Sequence, residues 1–155
     1  MIKILFVCHG NICRSPMAEF LFRDIICKNG LQDKFTVASA ATSREELGNP
    51  VHHGTVQKLK ECGISTEGKY ATLLTKKDYG KYDYLIGMEQ RNVKNMLRIL
   101  GGDPEQKVYR LLDFSENPRD IADPWYTGNF DRTYDDIFEG CQGLLEYINK
   151  RKSNI

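Results

Sequence analysis

Four times along this chain a short apolar stretch is followed by a segment with helical periodicity, and that alternation restricts the fold more than any other feature. Residues 2–7 form an apolar run broken only by Lys3, the pattern of a buried parallel strand. Residues 35–38, 84–88 and 108–112 repeat it. Between and after them, Ala18, Leu21, Phe22 and Ile25 fall at i, i+3, i+4, i+7 spacing. Val56, Leu59 and Cys62 mark a second helix, and Val93, Met96, Leu97 and Leu100 a third. Tyr134, Ile137, Phe138, Cys141, Leu145 and Ile148 mark a long fourth one, whose Lys150-Arg151-Lys152 end suits the negative helix terminus. Asn29-Gly30, Gly63 and Gly101-Gly102 supply stops. Strand–helix alternation predicts an α/β fold. Three layers are expected: a four-stranded parallel sheet with helices on both faces, joined by right-handed crossovers that leave few topologies, of which the order 2-1-3-4 is the one expected. Residues 1–155 are expected to make a single domain, because halves of about 75 residues would each be near the lower limit for a self-sufficient core.

Charge and cysteine usage narrow the function classes. Lys plus Arg total 22 against 21 Asp plus Glu, a net charge of +1, which gives no reason for a nucleic-acid surface or a polybasic membrane anchor. No apolar run approaches the roughly 20 residues of a membrane-spanning helix, and the N-terminal run is too short for a secretory leader. The five cysteines, Cys8, Cys13, Cys27, Cys62 and Cys141, are an odd number, which points to a reducing, cytoplasmic setting and not to a disulfide framework. Cys27, Cys62 and Cys141 fall on or near helical apolar positions and are expected in the core.

In a parallel sheet, ligands bind beyond the carboxyl ends of the strands, at a switch point. The loop after the first strand reads Cys8-His9-Gly10-Asn11-Ile12-Cys13-Arg14-Ser15-Pro16. Ser15-Pro16 reads as a helix start, with the hydroxyl as cap and the proline at the first position. Backbone amides at such a helix N-terminus make an anion site. Gly10 permits close backbone approach, and Asn11 tolerates positive φ better than most residues. Arg14 can grip two oxygens of a phosphate with its planar fork. The same positive surroundings favour the thiolate form of Cys8, to which Ser15 could donate its hydroxyl. A nucleophile and an oxyanion cradle therefore share eight residues. Far downstream, Asp123-Pro124 taken alone is an ordinary turn opener. His52-His53 raises a metal site, but neighbours in a helix do not share a face and no acidic or cysteine cluster accompanies them, so none is expected.

Val7 to Pro16 resembles the signature of the low-molecular-weight protein tyrosine phosphatases, and Asp123-Pro124-Trp125-Tyr126 resembles that family's general-acid loop. Ser39-Ala40, and Met88-Glu89 with Asn92, are shorter echoes, and the likeness spans essentially the whole chain. The resemblance implies a protein tyrosine phosphatase that needs no metal or other cofactor. Cys8 would attack phosphorus, while Arg14 and the backbone of His9, Gly10, Asn11, Ile12, Cys13 and Ser15 hold the phosphate oxygens. Asp123 would act as general acid and then as base. Its partners would be phosphotyrosine-containing proteins, with inorganic phosphate as product, and the chain would act as a monomer away from membranes and nucleic acid. Cys13 would pair reversibly with Cys8 to protect it from over-oxidation.

The loop 42–50 would flank the mouth, with Glu45 standing where relatives often have an aromatic residue, and Trp125 and Tyr126 forming the opposite substrate wall. Lys69 stands where many relatives have a histidine that helps to fix the loop asparagine, so the support of Asn11 is expected to differ. His9 is expected at the rim. Among other carboxylates in the same half, Asp113, Asp120 and Asp131 lack the proline–aromatic–aromatic sequel.

The Cys-x5-Arg loop also occurs in thioredoxin-coupled arsenate reductases, but these need closely spaced cysteines downstream, and none follows here. Phosphoarginine phosphatases resemble this sequence too, with threonine in place of Ile12; the aliphatic Ile12 favours an aryl phosphate. A non-catalytic phosphate-binding module would sooner have lost Cys8 or Asp123, and both are present.

Overall fold

Alternation along the first strand divides the interior into two cores. Ile4, Phe6 and Cys8 point to one side, and Leu5 and Val7 to the other. A computed structural model, which describes residues 1–153, shows what each side meets. Its elements are β1 (Ile2–Cys8), α1 (Arg14–Lys28), β2 (Phe35–Ala41), α2 (His53–Glu61), α3 (Asp78–Lys81), β3 (Tyr84–Gly87), α4 (Gln90–Leu100), β4 (Val108–Arg110), α5 (Pro124–Thr127) and α6 (Phe130–Ser153), with 3₁₀ turns at Gln32–Lys34 and Leu111–Phe114. All strand pairs are parallel, in the order β2-β1-β3-β4. On one face α1 and α6 bury Met17, Leu21, Phe22, Ile137, Cys141 and Leu144 against Phe6 and Ile86. On the other, Met96 and Leu100 of α4 pack on Leu5, Val7 and Leu85. This is the expected three-layer α/β architecture in the expected strand order.

Several local expectations need correction. Helix α1 begins at Arg14, one residue before Ser15, and the Ser15 hydroxyl does not cap it, because that hydroxyl is engaged by Cys8 and Asn11. The strand expected over residues 108–112 ends at Arg110. Leu111 and Leu112 turn into the 3₁₀ segment and are fully buried, and Asp113 closes the turn by accepting from the Arg110 backbone. Residues 124–127, read as loop, form one helical turn capped by the Asp123 side chain. Cys27 and Cys62 are exposed because they lie at the ends of α1 and α2, where the buried stripe has run out; only Cys141 of the three is in the core. In α2 the buried side chains are Thr55 and Leu59, not the expected Val56–Leu59–Cys62 row. Lys150 and Arg151 are exposed at the end of α6, and the Lys152 side chain lies outside the described residues.

One close approach matters for the site's far wall. A Cβ on Gly143 of α6 would lie 2.2 Å from the Phe114 carbonyl oxygen, so α6 can seat against the 3₁₀ turn only with glycine there. That contact helps to hold the segment that leads from β4 to Asp123. Among the described residues no helix is long and apolar enough to cross a membrane.

Candidate active site

Cys8 is the last residue of β1, paired with Ala41 of β2, so its Sγ is carried on the most constrained strand of the sheet. Three donors converge on it: the Ser15 hydroxyl at 3.0 Å, the Asn11 backbone N–H at 3.3 Å and the Ser15 backbone N–H at 3.4 Å. Donors of this kind stabilise a thiolate. The loop bends tightly enough to do this because Asn11 takes φ +59°, a left-handed conformation that asparagine tolerates. Asn11 is fully buried and its side chain is saturated. Its amide donates to Ser15 Oγ at 2.7 Å and Ser39 Oγ at 2.9 Å, and its Oδ1 accepts from the Thr72 N–H at 3.1 Å.

Lys69 reaches this network by another route than a ring at the asparagine. Its ammonium donates to the Ser39 carbonyl at 2.9 Å and lies 3.5 Å from Glu19, while the Ser39 hydroxyl donates to Glu19 at 2.5 Å. Burial lowers the Lys69 pKa, and Glu19 opposes that shift. The support of Asn11 therefore passes through Ser39, whose two ends are held by Lys69 and Glu19.

Arg14 is 2 % exposed. Its guanidinium donates to Glu89 at 2.9 Å and to the Ile121 carbonyl at 2.8 Å, and its second terminal nitrogen lies 3.5 Å from Asp123. Burial works against the charge, but Cys8, Asp123 and Glu89 around it prevail and raise the Arg14 pKa above its ordinary value. The cation is thus permanent, and its fork is aimed by Glu89, just past β3, and by Ile121 and Asp123 in the segment before α5.

Asp123 uses one carboxylate oxygen to cap α5, accepting from the Trp125 N–H at 3.0 Å, and turns the other to Arg14. The competing carboxylates are committed elsewhere: Asp113 and Asp120 to Arg110, and Asp131 to Lys58.

Cys8, His9, Gly10, Ile12, Cys13 and Arg14 line one cavity with Glu45, Glu46, Asp123, Trp125 and Tyr126. Asn11 and Ser15 sit fully buried, outside that lining. The loop 42–50 is tied to the phosphate loop by the Thr42 N–H to the Cys8 carbonyl and the Ser43 N–H to the His9 carbonyl, both at 3.0 Å. Glu45 meets His9 at 3.1 Å on the rim, with side chains 71 % and 46 % exposed. Trp125 is 56 % exposed and Tyr126 83 % exposed, values that rule out a role in the core. Burial, then the neighbouring Cys8, push the Cys13 thiol up to about 12, so Cys13 stays protonated beside Cys8.

Two participants escaped the sequence reading. Glu89 was visible only as part of an echo, and Glu46 not at all; the signal was their position just past the carboxyl ends of β3 and β2, where parallel sheets place ligand-facing groups.

Likeness to known proteins extends over nearly the whole chain. Residues 3–154 match the family model described as low molecular weight phosphotyrosine protein phosphatase. Low molecular weight protein-tyrosine-phosphatase YfkJ of Bacillus subtilis is 42% identical over 154 residues, covering 98% of this chain and 99% of that protein. The crystal structure of YfkJ superposes with a TM-score of 0.95 over 98% of this chain and 97% of that one. PtpA of Staphylococcus epidermidis is 38% identical over 97% of this chain and 96% of its own length. The low molecular weight protein tyrosine phosphatase of Streptococcus pyogenes gives a TM-score of 0.85 at 39% identity, covering 95% and 93% of the two chains. The chain belongs to the low molecular weight phosphotyrosine protein phosphatase family.

Proposed function

We propose that this protein-tyrosine phosphatase hydrolyses phosphotyrosine in proteins in two steps, through a phosphocysteine on Cys8. The observation that carries the reading is the convergence of three donors on Cys8 Sγ, with the buried Arg14 fork and the Asp123 carboxylate beside it. The thiolate attacks phosphorus in line. Arg14 and the loop amides hold the three equatorial oxygens, where charge spreads in the transition state. The bond from phosphorus to the phenolic oxygen breaks as the S–P bond forms, and Asp123 gives its proton to the leaving phenolate. Asp123, now ionised, takes a proton from water, which attacks phosphorus and releases inorganic phosphate and the thiolate. Phosphate-monoester hydrolysis is among the slowest uncatalysed reactions, with enzymatic accelerations of up to roughly 10²¹; splitting it in two and preorganising the donors is how side chains lower such a barrier.

The aryl group of the substrate would lie between Ile12 and the exposed Trp125 and Tyr126, with the Glu45–His9 pair on the opposite rim. The decisive comparison is turnover of an aryl phosphate, a phosphotyrosine peptide, phosphoarginine and arsenate side by side. Only the first two should be processed efficiently. Preferred turnover of phosphoarginine, or reduction of arsenate, would overturn the substrate assignment.

Cys13 gives the reading a redox arm. Peroxide would transfer oxygen to the Cys8 thiolate, giving a sulfenic acid, and the Cys13 thiol would then displace water to form a disulfide. Mild peroxide should therefore inactivate the enzyme reversibly, with dithiothreitol restoring it. In Cys13→Ser, inactivation should become progressively irreversible as Cys8 passes to sulfinic acid. Peptide mass spectrometry that finds no Cys8–Cys13 linkage in the oxidised protein would defeat this arm.

A further inference from the structure

His52 is held on several sides at once, and the chemistry assigned above gives it no role. Its backbone N–H donates to the Ile12 carbonyl of the phosphate loop at 2.8 Å. Its Nδ1 accepts from the Gly54 N–H at 3.0 Å and so caps α2. Its ring stacks on Phe130, the first residue of α6, with centroids 5.3 Å apart and planes 14° apart. It also stacks on His53 at 4.2 Å and meets the edge of Trp125 at 5.5 Å. The two histidines share this stack, contrary to the expectation from helical spacing, because His52 is the cap and has extended backbone. The fit is close: a Cβ on Gly54 would lie 2.3 Å from the Phe130 ring. One turn along, the Thr55 hydroxyl donates to the Cys13 carbonyl at 3.1 Å. The N-terminus of α2 is thus tied twice to the phosphate loop, and through one ring to the loop that carries Asp123.

We infer that His52 is a positioning residue that joins the phosphate loop, through its backbone N–H, to the Asp123–Tyr126 loop, through its neutral ring, and whose protonation loosens that junction. The inference rests on the reading of Asp123 as general acid. The cap requires Nδ1 as an acceptor. Once protonated, Nδ1 would present a hydrogen to the Gly54 N–H and lose the bond. The new charge would also sit at the positive end of the α2 dipole and against the His53 ring. The ionisable groups facing His52 are His53 from α2, Asp123 at the start of α5 and Glu46 from the loop 42–50; α6 presents the uncharged Phe130. Burial, followed by His53, lowers the His52 pKa below the ordinary histidine value, and Asp123 and Glu46 oppose this only in part. A cation's attraction for the Phe130 face works in the same direction as those carboxylates. With the folded pKa below the unfolded one, the neutral junction is intact above the unfolded value. Its stabilisation is lost as pH falls from there toward the folded value.

Trp125 is the sole tryptophan, so its fluorescence reports on the acid loop directly. Titrating its emission on the full chain from pH 8 downward should show one step, with its midpoint below the ordinary histidine value. His52→Asn keeps a good capping residue but cannot take the proton, and should erase the step, whereas His9→Gln should retain it. His52→Phe, which keeps a stacking ring, should also erase it and serves if the asparagine variant folds poorly. In His52→Asn, pre-steady-state release of phenol should fall by up to about 10²-fold for phosphotyrosine, the size expected of a misplaced catalytic group, and clearly less for nitrophenyl phosphate. A wild-type emission with no step, a step that survives both His52 substitutions, or an equal loss for the two substrates would overturn the inference. The titration involves no turnover, so it stands or falls separately from the assignment of the reaction.

Discussion

Cys8→Ser is expected to lower turnover by on the order of 10⁶-fold, the scale on which removal of a covalent nucleophile is felt, while leaving inorganic phosphate bound. The two halves of that result come from different parts of the site. In the proposed mechanism the oxyanion cradle is made by the loop amides before α1 and by Arg14, whose orientation is set by Glu89 and the Ile121 carbonyl. None of these depends on sulfur. In the proposed mechanism serine removes the polarisable nucleophile and a negative charge that would repel a phosphate, so binding should be retained or improved. Arg14→Ala, by contrast, should impair both phosphate binding and turnover. It also leaves Glu89 and Asp123 without the cation they face, so its thermal stability should be recorded beside its kinetics. Single-turnover rates with phosphotyrosine peptide and calorimetric titration of phosphate separate the two effects. Appreciable phosphatase activity in Cys8→Ser would mean that another group is the nucleophile.

Asp123→Asn should slow phosphoenzyme formation from phosphotyrosine by about 10²- to 10⁴-fold, the usual contribution of a general acid. A phenolate of high pKa leaves poorly unless it is protonated, whereas a nitrophenolate needs little help, so the loss should shrink steadily along a series of better leaving groups. The structure makes the substitution a clean one at the backbone. Asp123 caps α5 through the Trp125 N–H, and asparagine caps about as well as aspartate. With its oxygen kept at that cap, the new amide faces Arg14, which removes an ion pair but little volume. Steady-state rates would hide the effect if dephosphorylation limits turnover, since the proposed mechanism uses the same residue there as base. Pre-steady-state release of phenol is therefore the measurement. If every leaving group lost the same factor, Asp123 would not be the acid. Attention would then pass to Asp120, whose carboxylate is engaged by Arg110 and the Gln90 N–H.

The cradle was legible in the sequence because it is local. Cys8, Gly10, Asn11, Arg14 and Ser15 lie within eight residues, and the strand before them and the helix after them announce themselves by short-range periodicity. The alternation of strands and helices was readable for the same reason, and parallel pairing with right-handed crossovers left little freedom in how to assemble them. Asp123 was legible only through a second motif that resembles a family's acid loop. Everything that aims the cradle is non-local. Arg14 is oriented by Glu89, 75 positions away, and by Ile121, 107 positions away. No periodicity links such residues, since their meeting depends on how the sheet brings the segments after β1, β3 and β4 together. The hydroxyl of Ser15 looked like a helix cap because its neighbours along the chain offered nothing better, yet packing brought Asn11 and Cys8 to it instead. Cys27 and Cys62 sit on apolar rows in the sequence but emerge at helix ends, because burial is decided by what lies opposite a residue. The His52 ring bridges the starts of α2, α5 and α6, and only the tertiary fold puts Phe130 and Trp125 within reach of it. The chain thus carries its proposed nucleophile and cradle in contiguous residues, whose properties are intrinsic, and their alignment in distant ones, whose contacts exist only once the sheet has formed.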